Sequence, residues 1–339
     1  MLAPQVLRSA DQAGISPVER LHALVSQDMA ATDALIHERL SSAVALIPDL
    51  AKHLIDSGGK RLRPLLTLAA ARMGGYDGRN HVKLAAAVEF IHTATLLHDD
   101  VVDESALRRG KVSANIVWGN KPSVLVGDFL FSRAFELMVE TRAQAVLGVL
   151  ARASSIIAEG EVMQLKSANN LAADEAHYLR VVSAKTAALF AAAAESGAMI
   201  ASVSDTFVSA MRAYGDNLGI AFQLVDDALD YSGRQALMGK SVGDDFREGK
   251  VTLPVILAVA RADDAARKFW TRTIETGPQS ESDLDRAITL VEETGAISDT
   301  MARARAYAAK ACDALEGVPA SELRDVLAAV AGFCVERAY

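Results

Sequence analysis

Cysteine is almost absent from the 339 residues: only Cys312 and Cys334 occur, and they do not form a CxxC pair. This scarcity argues against a disulfide framework or a zinc knuckle and is typical of proteins in a reducing compartment. We interpret the two cysteines as small apolar core residues.

Long hydrophobic runs are missing as well. The N-terminus has no basic start followed by a continuous apolar segment, so no signal peptide is predicted. No run approaches the roughly 20 apolar residues of a membrane span. We therefore expect a cytoplasmic protein with no membrane span.

Aromatic residues make up only 5% of the chain and proline only 8 residues, whereas 51% are hydrophobic. This composition excludes a disordered or collagen-like protein. It indicates a core of Ala, Leu, Val and Ile, which suits closely packed helices better than sheets.

Basic residues are not in excess either, with 35 Lys and Arg against 43 Asp and Glu. A general nucleic-acid binder is thereby excluded, and any polyanionic ligand must bind at a local basic cluster.

Apolar residues recur at helical spacing from Val18 onward, while strand-like alternation is scarce, so we predict an all-α fold. No Ser/Gly or Pro linker interrupts the chain, which favours one domain over residues 1–339 despite the length. We expect a motif-bearing core at about 50–255 and a C-terminal helical section at about 256–339. Glycine-containing breaks separate the helices. The long helices are predicted at about 79–103, 122–141, 143–167, 173–197 and 204–231.

Two acidic clusters of DDxxD spacing each end an apolar segment, the first with Asp99 and Asp103, the second with Asp226 and Asp230. Carboxylates four positions apart on a helix lie on one face and repel each other, and at a helix C-terminus they also oppose the dipole. A bound divalent cation removes both objections. Hard oxygen ligands with room for water and phosphate suit Mg²⁺ rather than zinc. A solvated helix end would explain one such cluster but not two.

Basic residues lie in the breaks near these clusters. Glycine permits close backbone approach, and arginine offers paired donors to phosphate oxygens. Phosphate contacts are therefore predicted, although Arg61 is better explained as a solvated loop residue. The basic residues concerned are Lys60, Arg61, Arg63, Arg108, Arg109, Lys240 and Lys250. His92 lies two helical turns before Asp99 on the same face, and we interpret it as a ligand contact rather than a core histidine.

Six segments resemble, in order and spacing, the motifs of the trans-isoprenyl (polyprenyl) diphosphate synthases over about residues 50 to 255, with no departure at a motif position. The segments are Gly58-Gly59-Lys60-Arg61-Leu62-Arg63-Pro64, LLHDDVVDESALRRG from Leu96, Gly160-Glu161 with Gln164, Lys185-Thr186, QLVDDALD from Gln223, and GKSVGDDFREGKVTLP from Gly239. The resemblance implies the isoprenoid synthase fold, in which long antiparallel helices surround a central cavity and the two acidic motifs face each other across its mouth. It also implies a homodimer.

The resemblance further implies a set of residue roles. Asp99, Asp103, Asp226 and Asp230 would bind about three Mg²⁺ ions that hold an allylic diphosphate, with farnesyl or geranylgeranyl as its prenyl group. Arg108, Lys185, Lys240 and Lys250 would add positive charge to that diphosphate. Lys60, Arg63, His92 and Arg109 would hold isopentenyl diphosphate. Thr186, together with the helix carbonyls near Lys185 and Gln223, would offer dipoles to the allylic cation formed when pyrophosphate departs.

Product length is expected to depend on residues one turn before Asp99, where this chain has Ala94 and Thr95. These lie roughly 6 to 7.5 Å deeper along the helix. Short-chain members of the family commonly have an aromatic ring there, so small residues favour the long-chain octaprenyl, solanesyl and decaprenyl class, which makes quinone side chains. The alternative is that small residues merely permit close helix packing. Candidates for the floor of the cavity are Phe131, Phe135, Leu147 and Leu150.

Three other functions remain open at this stage. A class I terpene cyclase would share the first acidic motif but would have an Asn/Ser/Glu-type metal site in place of the second, and would not need Lys60, Arg63 and Arg109. A non-catalytic partner subunit would be expected to have a damaged acidic motif. A shorter-chain farnesyl or geranylgeranyl diphosphate synthase differs only in product length.

Overall fold

The structure, a computed structural model, describes residues 14–55, 58–108, 110–232 and 243–336. It is 79% helical, and the all-α prediction is confirmed. The strands in these residues are two short segments, β1 (Leu107–Arg108) and β2 (Lys111–Val112), which form an antiparallel hairpin. None of the described helices combines the length and the apolar character that crossing a bilayer requires.

The first half of the chain contains eight α-helices within the described residues. They are α1 (Pro17–Leu24), α2 (Ser26–Arg39), α3 (Leu46–Ile55), α4 (Leu62–Met73), α5 (Asn80–Val102), α6 (Ala114–Trp118), α7 (Asn120–Glu140) and α8 (Gln144–Ser167). Local signals account for some of the starts. Ser16 accepts a hydrogen bond from the backbone of Glu19, whose side chain bonds back to Ser16, and Pro17 occupies the first turn of α1.

The second half is also helical where it is described. Its α-helices are α9 (Glu175–Val182), α10 (Ala188–Ile200), α11 (Asp205–Asp230), α12 (Asp244–Arg247), α13 (Leu253–Ala260), α14 (Asp264–Trp270), α15 (Glu281–Glu293), α16 (Ala296–Ala314) and α17 (Glu322–Glu336). A π-helical segment, Ser183–Ala187, separates α9 from α10, and another, Thr271–Thr276, follows α14. Four of the five long helices lie where the sequence predicts them, but the helix predicted at 173–197 is divided.

Contacts divide the chain into two compact units built from interleaved segments. Unit 1 comprises Met1–Ser154, Leu189–Gly215 and Ala311–Phe333, and unit 2 comprises Ser155–Ala188, Asp216–Lys310 and Cys334–Tyr339. A single domain over residues 1–339 stays a prediction.

The core of unit 1 depends on small residues that let helices approach closely. α4 and α5 are buried along most of their length. α10 lies so close to α4 that a Cβ added at Gly197 would be 2.2 Å from the carbonyl oxygen of Thr67. The hydroxyl of Thr67 also donates to the carbonyl oxygen of Ala193 at 3.0 Å. The alanine-rich composition noted in the sequence therefore supports backbone contact between helices.

The core of unit 2 contains the larger aromatic side chains. Trp270 is fully buried and makes edge-on ring contacts with Phe246 and Phe269. Tyr178 and Tyr231 belong to the same hydrophobic cluster, which includes the C-terminal half of α11. The end of α11 is thus fixed by packing on several neighbouring elements.

In unit 1, an ion pair holds the β1–β2 hairpin against the end of α5. Asp100 is fully buried, and its Oδ1 accepts hydrogen bonds from Nε and a terminal nitrogen of Arg108 at 2.7 and 2.6 Å. Burial raises the pKa of Asp100, and the guanidinium of Arg108 opposes that rise. Asn115 of α6 donates to the carbonyl oxygen of Asp100 at 3.0 Å. The last turn of α5 is therefore tied to the hairpin and to α6.

We predict that Arg108→Ala lowers the free energy of unfolding by about 3–5 kcal/mol, because it leaves the buried carboxylate of Asp100 without its charged partner. Denaturant unfolding followed by circular dichroism measures this loss. The matched control is Arg247→Ala, because the pair of Arg247 with Asp244 is half-exposed and should contribute less than about 1 kcal/mol. Equal losses in the two variants would contradict the structural role of Arg108.

Candidate active site

The first acidic motif lies at the C-terminus of α5 in unit 1. The backbone N–H of Asp103 donates to the carbonyl oxygen of Asp99 at 2.8 Å, so the two residues are one helical turn apart, and both are partly exposed. Their expected position on one face of the helix is confirmed. Asp100, between them, points into the core instead. The motif therefore separates into an accessible pair and a buried structural residue.

Arg108 differs from its expected role. The resemblance implies that it adds charge to a diphosphate, but two of its guanidinium nitrogens contact Asp100. The physical reason is that Asp100 is fully buried and needs a cation. In the structure Arg108 therefore compensates the buried charge of Asp100. A phosphate contact by this residue stays a prediction. Its neighbour Arg109 lies outside the described residues.

The predicted isopentenyl-binding residues of unit 1 lie on α4, α5 and the loop before α4. A terminal nitrogen of Arg63 donates to Nε2 of His92 at 3.3 Å, and its guanidinium carbon lies 4.2 Å from the centroid of the Phe190 ring. The structure therefore brings Arg63 and His92 together. Lys60 follows two glycines with positive φ and is exposed, with its Nζ 5.8 Å from the centroid of the Phe333 ring.

In unit 2, Lys185 and Thr186 lie in the π-helical segment between α9 and α10. π-Helical turns are rare and are found often at functional sites. Nζ of Lys185 donates to Glu161 of α8 at 2.9 Å. Gly160 makes this approach possible, since a Cβ there would be 2.9 Å from the backbone nitrogen of Lys185. Gly160 and Glu161 therefore act together: the glycine permits the close approach of α8, and the glutamate contacts Lys185. The sequence alone does not show this.

Thr186 is connected to the second acidic motif by hydrogen bonds. Its hydroxyl donates to Oε1 of Gln223 at 2.8 Å, and Nε2 of Gln223 donates to Oδ1 of Asp227 at 2.7 Å. The hydroxyl of Tyr178 on α9 donates to Oδ2 of Asp227 at 2.6 Å. Burial raises the pKa of Asp227 to about 7. Asp227 and Tyr178 were not among the residues that the sequence singles out.

Asp230, the last residue of the second motif, has partners of its own. Its two carboxylate oxygens accept hydrogen bonds from the backbone N–H groups of Asp244 and Asp245 at 3.3 and 3.0 Å. Burial raises its pKa to about 6. Nζ of Lys250 lies 2.5 Å from Oε2 of Glu248. Lys240 lies outside the described residues.

Each acidic motif is suited to a hard divalent cation that also binds phosphate. Each presents carboxylate oxygens, and among the described residues no group of three or more His, Cys, Asp or Glu forms a complete cage. Mg²⁺ commonly binds to one or two carboxylates and keeps its other positions for water and substrate phosphates. The donors present fit that ion, with Asp99 and Asp103 in unit 1 and Asp226 and Asp230 in unit 2.

The predicted chain-length residues lie one turn before Asp99 on α5. Ala94 is fully buried, whereas Thr95 is half-buried and its hydroxyl donates to the carbonyl oxygen of His92 at 2.7 Å. Both positions are small, as the prediction requires. Of the floor candidates, Leu150 is fully buried, but the side chain of Phe135 is 42% exposed, which argues against an interior role.

Comparison with known proteins supports the resemblance found in the sequence. Residues 44–291 match the polyprenyl synthetase family. The chain is 42% identical over 322 residues to octaprenyl diphosphate synthase of Haemophilus influenzae, covering 95% of this chain and 98% of that protein. It is 43% identical over 320 residues to octaprenyl diphosphate synthase of Escherichia coli, covering 94% and 99%.

Solved structures agree with the sequence relatives. A polyprenyl synthase from Caulobacter crescentus, complexed with calcium and isoprenyl diphosphate, matches with a TM-score of 0.92 and 56% identity, covering 95% of this chain and 98% of that one. A decaprenyl diphosphate synthase from Rhodobacter capsulatus matches with a TM-score of 0.92 and 55% identity, covering 95% and 100%. The chain has the isoprenoid synthase fold and belongs to the polyprenyl synthetase family of prenyltransferases.

Proposed function

We propose that this protein condenses isopentenyl diphosphate repeatedly, head to tail, onto an allylic diphosphate and releases a long all-trans polyprenyl diphosphate for a quinone side chain. The observation that carries this proposal is the pair of small residues, Ala94 and Thr95, one turn behind the Asp99–Asp103 pair. The octaprenyl and decaprenyl synthases among its relatives support the same product class.

The acidic residues of the two motifs would hold the metal and the allylic diphosphate. Asp99 and Asp103 would contribute from α5, and Asp226 and Asp230 from α11. About three Mg²⁺ ions held there would supply positive charge that neutralises the diphosphate as it departs. Because carboxylates of one motif repel each other, bound metal would also stabilise the ends of both helices. The preferred primer would be farnesyl or geranylgeranyl diphosphate.

Basic residues supply the remaining charge for the two substrates. Lys185, Lys240 and Lys250, with Arg108, would bind the allylic diphosphate and stabilise the negative charge that develops on it. Lys185 is already positioned by its contact with Glu161. Lys60, Arg63, His92 and Arg109 would bind isopentenyl diphosphate. The contact between Arg63 and His92 supports their common assignment. The proposed substrate-binding residues are together Lys60, Arg63, His92, Arg108, Arg109, Lys185, Lys240 and Lys250.

The hydroxyl of Thr186 and the helix carbonyls near Lys185 and Gln223 would face the allylic carbon as its bond to pyrophosphate breaks. Their oxygen dipoles favour positive charge there, and the π-helical segment adds backbone carbonyls that do not continue the regular helical pattern. The isopentenyl double bond then attacks the cation, and the released pyrophosphate takes the proton. Exclusion of water by the apolar surroundings prevents formation of an alcohol.

We also propose that the protein is a homodimer in the cytoplasm. α7 has a row of exposed apolar side chains, with Leu125 66%, Phe135 42% and Val139 60% exposed, which a second copy would cover. Cys312 and Cys334 are free cysteines, and the scarcity of cysteine in the sequence supports a reducing compartment. Sedimentation equilibrium measures the mass in solution, and a monomer at all accessible concentrations would contradict the dimer.

The function is tested by incubating the protein with farnesyl diphosphate, isopentenyl diphosphate and Mg²⁺ and determining product masses. We expect octaprenyl to decaprenyl products, and no product when a chelator removes the metal.

Asp99→Ala and Asp103→Ala should each lower turnover by roughly a thousandfold or more, because each removes a charge that assists the leaving group through the metal. The control, Asp313→Ala at an exposed position of α16, should retain turnover. Cyclic products, products that stop at geranylgeranyl length or full activity of the Asp99 variant would contradict the proposal.

Ala94→Phe tests the route of the growing chain. The ring would lie behind Asp99 on α5, so with geranyl diphosphate as primer we expect products of farnesyl to geranylgeranyl length while the first condensation stays active. Ala94→Ser, which keeps the position small, should give wild-type products. Since ring insertion into a packed core costs about 1–3 kcal/mol, circular dichroism must show that the variant is folded. Wild-type product lengths from a folded Phe variant would show that the chain does not pass residue 94.

A further inference from the structure

A series of hydrogen bonds within unit 2 connects Tyr178 to Thr186 through Asp227 and Gln223, and the donors on both sides point toward Asp227. The hydroxyl of Tyr178 donates to Asp227 at 2.6 Å, Gln223 donates to the other oxygen of Asp227 at 2.7 Å, and Thr186 donates to Gln223 at 2.8 Å. These four residues come from α9, the π-helical segment and α11. The series therefore joins three elements whose backbone is fixed by packing.

The direction of each bond follows from donor and acceptor chemistry. Tyr178 and Asp227 are 6% and 4% exposed, so water does not replace their mutual contact. A carboxylate offers only acceptors, and an amide offers donors on one side and an acceptor on the other. In the ionised form of Asp227, Tyr178 already donates to Oδ2, so Oδ1 is the acceptor for Gln223, whose NH₂ group faces Asp227 and whose carbonyl oxygen faces Thr186. The hydroxyl proton of Thr186 is thereby committed to Gln223.

Because the hydroxyl proton of Thr186 is donated to Gln223, the part of the hydroxyl that can face a substrate is the oxygen and its lone pairs. An oxygen whose proton points at Gln223 has its lone pairs directed elsewhere, toward the space where positive charge would develop. If the amide of Gln223 turned over, its NH₂ group would face Thr186, and the hydroxyl proton would be released to point at the cation. Such a proton would repel positive charge rather than stabilise it.

We propose that Tyr178 is a positioning residue for the prenyl transfer: through Asp227 and Gln223 it orients the hydroxyl of Thr186 so that the oxygen lone pairs, and not the proton, face the allylic cation. The proposal rests on the role given to Thr186 in the proposed function. Tyr178 itself touches Asp227 rather than the reacting carbon, so its effect on the rate is indirect. A purely structural role for Tyr178 would affect stability without affecting the orientation of Thr186.

The test measures the first condensation of farnesyl diphosphate with isopentenyl diphosphate in Tyr178→Phe, with kcat and both KM values determined separately. We expect kcat to fall about tenfold, the effect of one hydrogen bond to a charged group, and both KM values to change less than about twofold. The matched control is Tyr214→Phe. Tyr214 is also buried and lies on α11 before Gln223, but its hydroxyl donates to the carbonyl oxygen of Leu327 at 2.8 Å and not to a motif residue, so its loss should lower stability and leave kcat unchanged. A Tyr178 variant that behaves like this control overturns the proposal.

A double-mutant cycle separates orientation of Thr186 from other effects. Thr186→Val removes the hydroxyl with little change in shape and should itself lower kcat. In that background Tyr178→Phe should cause no further loss of kcat, because the group that it orients is gone. Asp227→Asn is the second variant. Its amide can present NH₂ to Gln223, which would turn the Gln223 amide over and reverse the hydrogen bond to Thr186. Like Tyr178→Phe, it should therefore cause no further loss of kcat in the Thr186→Val background. An undiminished effect of Tyr178→Phe or Asp227→Asn in the Thr186→Val background would overturn the proposal.

The same experiment distinguishes failure of this inference from failure of the proposed function. If wild-type protein does not condense the two diphosphates at all, the proposed function is wrong. If it does, but Thr186→Val retains full kcat, then Thr186 does not act on the cation and the role of Tyr178 fails alone.

Discussion

The structure depends on how it accommodates several carboxylates at the ends of two apolar helices. In each acidic motif the negative end of the helix dipole and the neighbouring carboxylates destabilise the negative charge of each aspartate. The second of the three aspartates, Asp100 or Asp227, points into the core. Asp100 is compensated there by Arg108, and Asp227 by Tyr178 and Gln223. An unpaired carboxylate at either position would be costly, so these contacts fix the last turn of α5 and of α11.

That compensation determines which carboxylates can serve the chemistry. Because the middle aspartates are occupied by protein donors, Asp99, Asp103 and Asp226 are the partly exposed members of the two motifs. Asp230 combines its place in the motif with acceptance of two backbone N–H groups at the start of α12. A carboxylate held in this way keeps its orientation, as hydrogen-bonded carboxylates at metal sites commonly do.

Close packing of small residues serves the site in the same manner. Gly160 lets α8 approach the π-helical segment, so that Glu161 reaches Lys185, and Gly197 lets α10 approach α4, which carries Arg63. Larger side chains at these two glycines would collide with backbone atoms. The alanine- and glycine-rich composition therefore has a consequence for function as well as for the core, because it determines how near the charged side chains come to one another.

The sequence by itself determined the helical class, the family, the positions of four of the five long helices and the one-turn spacing of Asp99 and Asp103. These depend on periodicity and on motifs that are local in the chain, and a helix converts such spacing directly into geometry. The sequence could not predict the π-helical segment, the partnership of Asp100 with Arg108, or the series from Tyr178 to Thr186. Each of these depends on elements distant in the chain meeting in space. Only the tertiary structure decided which aspartates of each motif are buried, because burial follows from what packs against the helix and not from the residue type.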